Sequence, residues 1–137
     1  MNSLATSQAL KAYAQIDIET SVNTATPLQL IIILYDGALS AISAAKGQMQ
    51  QMKYAEKGRL ISKAVGIIEG LRAVLDHERG GEISRNLNDL YEYMNRILTM
   101  ANLKNEPDKL DEISGLLNEL REAWAILAIR EKDGSLK

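Results

Sequence analysis

The stretch ATPLQLIIILYDGALSAI, residues 25–42, decides how the rest of the chain is read. Leu30 to Tyr35 is an unbroken apolar run with three consecutive β-branched isoleucines. On its own it fits a buried strand, part of a membrane span, or a helix apolar on more than one face. The residues downstream of the run separate these. Ile31, Tyr35, Ala38, Ile42, Ala45, Met49 and Met52 recur at alternating steps of four and three, the a/d spacing of one helical seam. A strand of a few residues does not keep that period as far as Met52, and the run falls short of the ~20 apolar residues needed to span a bilayer. Thr26-Pro27-Leu28-Gln29 supplies the helix start. Thr26 can cap, Pro27 lacks an N–H that would be unpaired there anyway, and Gln29 completes a capping box.

The same arithmetic recurs along the chain. Ile61, Ala64, Ile68, Leu71 and Leu75 form a second seam, and Ile83, Leu87, Leu90, Met94, Ile97 and Ala101 a third. Leu110, Ile113, Leu117, Leu120, Trp124 and Leu127 form a fourth. Breaks are expected at Lys53 to Gly58, at Gly80-Gly81 and at Asn102 to Pro107, with Asn105 capping the last helix. Helices of roughly 18–26 residues would be ~27–39 Å long, and short links favour antiparallel neighbours. The expected fold is therefore all-α, an antiparallel up-down four-helix bundle over 26–129. Residues 1–25 are expected as a flexible segment with a short cap helix on Ala9, Leu10, Tyr13 and Ile16, and 130–137 as a loose polar tail.

Composition agrees. Of 137 residues 46% are hydrophobic and 25% charged, the balance of a globular chain. Phenylalanine is absent, so the core must be mostly aliphatic, and the absence of cysteine excludes disulfides and thiolate metal sites. A net charge of −2 gives no general drive toward nucleic acid. No basic region leads into an apolar stretch at the N-terminus, so no signal peptide is expected.

Little in the chain carries catalytic or metal chemistry. A di-iron bundle needs paired Glu-x-x-His motifs, whereas the one histidine, His77, stands between Asp76 and Glu78. Zinc ligands, a glycine-rich phosphate loop and a Ser/His/Asp arrangement are equally missing from the sequence. A phosphotransfer bundle using His77 is the enzyme-like alternative. Against it, His77 falls where the second helix should end, the usual lysine three positions on is Gly80, and two flanking acids repel phosphate. A solvated histidine, favourable at the negative end of a helix, is the plainer reading.

Apolar residues outside the seams say more. Leu28, Ile32 and Leu39 make a second stripe on the first helix. Leu60, Ile67 and Val74 precede seam residues by one in the second, and Tyr91 and Leu98 follow them by one in the third. Leu116 and Ile126 lie off the seam in the fourth. Singly, such residues widen a core; together they suggest grooves open to an amphipathic helix or an extended apolar peptide. A generic helical adaptor would share these features.

SVNTATPLQLIIILYDGAL (21–39), GGEISRNLNDLYEYMNRILTMAN (80–102) and ISGLLNELREAWAIL (113–127) resemble the FliS family of flagellin export chaperones. The order and spacing of Pro27, Leu34 to Ala38, Asn86-Leu87, Leu90-Tyr91, Ala101-Asn102 and Trp124 carry the likeness over about residues 10–129. Leu28 and Ile33 depart from the pattern, standing where an acidic residue and a methionine are common. The resemblance implies a cytoplasmic helical bundle without catalysis or cofactor. It would bind the disordered C-terminal region of flagellin, prevent premature polymerisation and assist delivery to the flagellar type III export gate. The partner would fold partly into helices in surface grooves, and the N-terminal segment would occupy one of them in its absence. A regulator of flagellar gene expression is a further implied partner, and the chain itself is expected to be a monomer with weak self-association. On this reading Tyr13 and Ile16 belong to the lid or contact segment, and Leu28, Ile32, Tyr35 and Leu39 support the adjoining surface. Leu60, Ile67, Val74, Tyr91 and Leu98 are groove candidates elsewhere. Tyr35 and Tyr91 fit the core equally well if their hydroxyls are satisfied. Asp36 is expected to make a polar contact rather than bind a metal, and Gly37 to let another chain approach closely.

Overall fold

Thr26 opens the first helix as the capping box requires. Its Oγ1 accepts the Gln29 N–H at 3.2 Å, and Gln29 Oε1 accepts the Thr26 N–H at 3.0 Å. The computed structural model describes residues 25–134, and among them the chain forms helices α1 (Pro27–Gln50), α2 (Tyr54–Ala73), α3 (His77–Lys104) and α4 (Pro107–Lys132). Tyr13 and Ile16, together with the proposed cap helix and lid, lie outside the described residues. α1 packs on α2 and α4, and α3 packs on the same two, so the helices stand on a ring. Cross-links between α1 and α4 pair Lys46 with Asp111 and Asp36 with Arg121, which fixes those helices as antiparallel. The molecule is an all-α antiparallel four-helix bundle.

The junctions differ from the expected ones for local reasons. The α1–α2 turn closes with Met52 at φ 59°, and Lys53 N–H reaches back to Gln48 O at 2.9 Å. α2 then starts at Tyr54, leaving Gly58 inside the helix. The break after α2 falls at Val74 to Asp76, before the glycine pair, because Asp76 caps α3 by accepting the Arg79 N–H at 3.1 Å. Gly81 instead kinks α3. Asn105 terminates α3 in the left-handed conformation at φ 53° and does not cap α4. The residue preceding α4, Glu106, makes no side-chain cap bond, and Pro107 occupies the first turn. His77 is the first residue of α3, at a helix N-terminus and exposed, so the expected placement at the negative end of α2 is corrected.

The core is mostly aliphatic, as the missing phenylalanines demand, with Tyr35 and Tyr91 inside it, but its seams are broader and shifted. In α2 both members of each apolar pair are buried: Leu60 (8% exposed) with Ile61, and Ile67 (0%) with Ile68. In α3 the buried line is Tyr91, Met94, Leu98 and Ala101, while Ile83, a seam residue by spacing, is 70% exposed. Two overlapping a/d series run through this helix, and the one containing the large tyrosine wins the interior. Met52 lies beyond the end of α1 and is exposed. α1 is, by length and composition, the one described helix apolar enough to cross a bilayer. Its Leu34, Tyr35, Ala38, Ala41, Ile42, Ala45 and Met49 are committed to the bundle interior.

Candidate partner-binding surface

One end of the bundle is formed by the start of α1, the end of α2, the start of α3 and the end of α4. Its floor is aromatic. The Tyr35 and Tyr91 hydroxyls lie 2.6 Å apart across the core, one donating to the other. Trp124 Nε1–H donates to Tyr35 Oη at 3.3 Å. The two phenol rings meet edge to face with centroids 6.5 Å apart. Burial pushes both hydroxyls above the ordinary phenol value, Tyr91 furthest, because an ionised phenolate there would lose its water. These are core residues with satisfied hydroxyls, the alternative the sequence left open.

Above this floor opens an apolar cleft of about 260 Å³. Ile31, Leu71, Val74 and Leu75 line one side, Leu87 and the exposed Ile83 the other, with Tyr91 and Trp124 beneath. The cleft exists because α2 stops at Ala73 and α3 kinks at Gly81, so neither helix covers the aromatic layer.

A second apolar feature runs along the α1–α4 edge. The Asp36 carboxylate accepts from Nε–H of Arg121 and from its Nη2–H at 3.2 Å, placing Asp36 on the α4-facing side of α1. Ile32 and Leu28 precede Asp36 by one and two helical turns, so they share that edge. Both are partly buried, yet among the described residues neither joins the core cluster, whereas Ile31, Ile33 and Leu39 pack against it. On α4, Ile126 and Ile129 are exposed and Ala125 and Ala128 are only partly covered. Asp36 thus makes the inter-helix polar contact expected of it. Gly37 is buried in α1.

The sequence-named residues therefore separate. Val74 lines the end cleft, and Leu28, Ile32 and Leu39 stay partly exposed on α1. Leu60, Ile67 and Leu98 are interior side chains, which corrects their reading as groove residues, and Tyr35 and Tyr91 present only the cleft floor and its support. The α2–α3 face is stitched by polar groups. Arg72 Nε–H donates to Asn88 Oδ1 at 2.7 Å and its Nη2–H to Glu92 Oε1 at 2.6 Å, and Asn95 Nδ2–H donates to Glu69 Oε1 at 2.9 Å. Sequence reasoning missed Ile83, Leu75 and Leu87 as cleft residues. The signal that could have found them was the choice of Tyr91 and Leu98 as the seam, which turns Ile83 outward.

At the opposite end Met52, Tyr54 and Leu103 are exposed, and Lys57 is buried with its Nζ 5.4 Å from the Tyr54 ring centroid. Lys57 Nζ–H donates to Asn102 O and Asn105 Oδ1, both at 2.7 Å, so its charge sits at the negative terminus of α3. Among the described residues no three of His, Asp and Glu gather into a potential metal site.

The comparisons with known proteins agree with one another. The profile of a family described as Flagellar protein FliS matches residues 9–131. A flagellar secretion chaperone FliS of Salmonella typhimurium is 48% identical over 120 residues, covering 87% of this chain and 89% of that protein. The flagellar secretion chaperone FliSB of Pseudomonas aeruginosa is 48% identical over 117 residues, covering 85% and 93%. A FliS of Bacillus subtilis is 37% identical over 106 residues, covering 77% and 78%.

Proposed function

The chain belongs to the FliS family of flagellar secretion chaperones, and from that premise we propose that it holds the disordered C-terminal segment of flagellin before export. It binds that segment in the cytoplasm, keeps it from polymerising prematurely, and assists its delivery to the type III export gate without catalysing a reaction. The observation that carries this reading is the pair Leu28 and Ile32, partly exposed beside Asp36 and left out of the core cluster. A disordered partner loses conformational entropy when it orders on a surface, so it needs extended apolar contact rather than one deep polar site. The α1–α4 edge and the end cleft together offer such contact, spread along the bundle and around its end. Arg121 and Asp36, paired across the edge, would hold the two helices at a fixed spacing beneath the bound segment.

Calorimetric titration with monomeric flagellin from the same organism tests the proposal. Intact flagellin should bind with a negative heat-capacity change from apolar burial. Flagellin lacking its C-terminal segment should not bind. Equal binding of the two would move the contact elsewhere and refute the assignment, and the chaperone should also delay polymerisation of intact flagellin measured by light scattering.

A further inference from the structure

The cleft wall formed by the start of α3 is built differently from the rest of the bundle. Gly81 sits inside α3 at φ 52° and ψ −122°, a combination closed to side-chain-bearing residues, and it separates the single turn His77–Gly80 from the helix body. That turn is pinned back by Ser84, whose Oγ–H donates to Asp76 O at 3.0 Å across the kink. Ser84 is itself buried, and a Cβ on Gly80 would stand 1.8 Å from its Oγ. The neighbouring glycines thus have separate tasks: Gly80 lets the turn close onto Ser84, and Gly81 lets it bend. His77, Glu78 and Arg79 are all exposed, so no core packing by their side chains opposes movement. Asp76, Gly80, Ile83 and Ser84 all line the cleft, so moving this turn changes the mouth above Tyr91 and Trp124.

We propose that the Asp76–Gly81 turn is a hinged wall, latched by the Ser84 hydroxyl, that swings about Gly81 to admit an apolar segment of the export partner into the end cleft. The partner's identity rests on the flagellin reading; the hinge does not. Opening is a pre-equilibrium that lowers apparent affinity until the latch is released. Losing one neutral hydrogen bond shifts such an equilibrium by about fivefold.

Two arms test it on the full chain. In the first, motion of the turn is followed without ligand by NMR relaxation dispersion at the His77 to Gly80 amides, which report its conformational exchange. Ser84→Ala should raise the open population about fivefold and leave Met94 to Ala101 unchanged. Gly80→Ala, whose methyl pushes the turn off Ser84, should act in the same direction. An unchanged open population in both variants overturns the hinge. In the second, association of the flagellin tail peptide is followed by stopped-flow fluorescence of Trp124, the single tryptophan of the chain. Ser84→Ala should raise the association rate about fivefold. A larger open population with an unaltered association rate overturns the gating role. If the tail binds neither protein, the flagellin reading fails, and the exchange arm alone keeps or overturns the hinge.

Discussion

Removing the hydroxyls of the Tyr35–Tyr91 pair one at a time should give unequal losses, because Tyr35 has two partners and Tyr91 has one. Tyr35→Phe strands the buried Tyr91 hydroxyl and the Trp124 N–H together. Each stranded buried group costs about 1–3 kcal/mol, and Trp124, partly exposed, can recover some by turning to water. The expected loss is about 2–3 kcal/mol. Tyr91→Phe leaves Tyr35 still accepting from Trp124, so its cost should be about 1 kcal/mol. The double variant strands the indole N–H alone and should lose about 1–2 kcal/mol, less than Tyr35→Phe by itself. The non-additivity, about 2 kcal/mol, is the signature of a shared buried bond rather than of lost packing. Urea unfolding gives the three values directly, and melting temperatures should fall by roughly 3–6 °C per kcal/mol. Additive losses, or Tyr91→Phe costing as much as Tyr35→Phe, would refute the arrangement.

The same pair predicts a pH limit. Both phenols have folded pKa values raised above 10.0, so their contribution is complete below that pH and is lost as pH climbs through the folded values. The unfolded chain releases protons that the native one keeps, so stability should fall as pH rises above 10; a flat profile between pH 10 and 11.5 would contradict this. Lys57→Met should cost about 1–2 kcal/mol in urea unfolding, since Asn102 O and Asn105 Oδ1 lose their shared donor. Asp36→Asn should cost less than ~1 kcal/mol and lose its effect at high salt, because the Arg121 pair is more than a third exposed. Ile67→Asp should fail to fold cooperatively by circular dichroism, as a carboxylate at a fully buried position demands, whereas Ile32→Asp should retain a wild-type melt.

How far the sequence reaches is clearest in α3. Helix period, the cap at Thr26 and the helix start at Pro107 follow from local rules, and these survive because each is decided within one or two turns. Register is not local. Ile83-Leu87-Leu90-Met94-Ile97 and Leu87-Tyr91-Met94-Leu98-Ala101 are equally regular, and the second is the one whose Tyr91 enters the interior and meets Tyr35 across the core. The same ambiguity misplaced Leu60 and Ile67, whose burial depends on α2 being covered from two sides. Leu28 and Ile32 were legible because no second helix is needed to read an apolar surplus beside Asp36. The end cleft was not legible: it arises from where α2 stops and α3 bends, and Gly80-Gly81 in sequence signals a terminus as readily as a kink.

The most direct measurement is the affinity of the flagellin C-terminal tail peptide for the wild-type chain and for Ile32→Asp, with melting temperatures taken alongside. Micromolar or tighter binding that weakens at least tenfold, ~1.4 kcal/mol or more, in a variant with an unchanged melt is the expected result. Absence of binding at micromolar concentration, or an affinity that Ile32→Asp leaves untouched, would contradict the account.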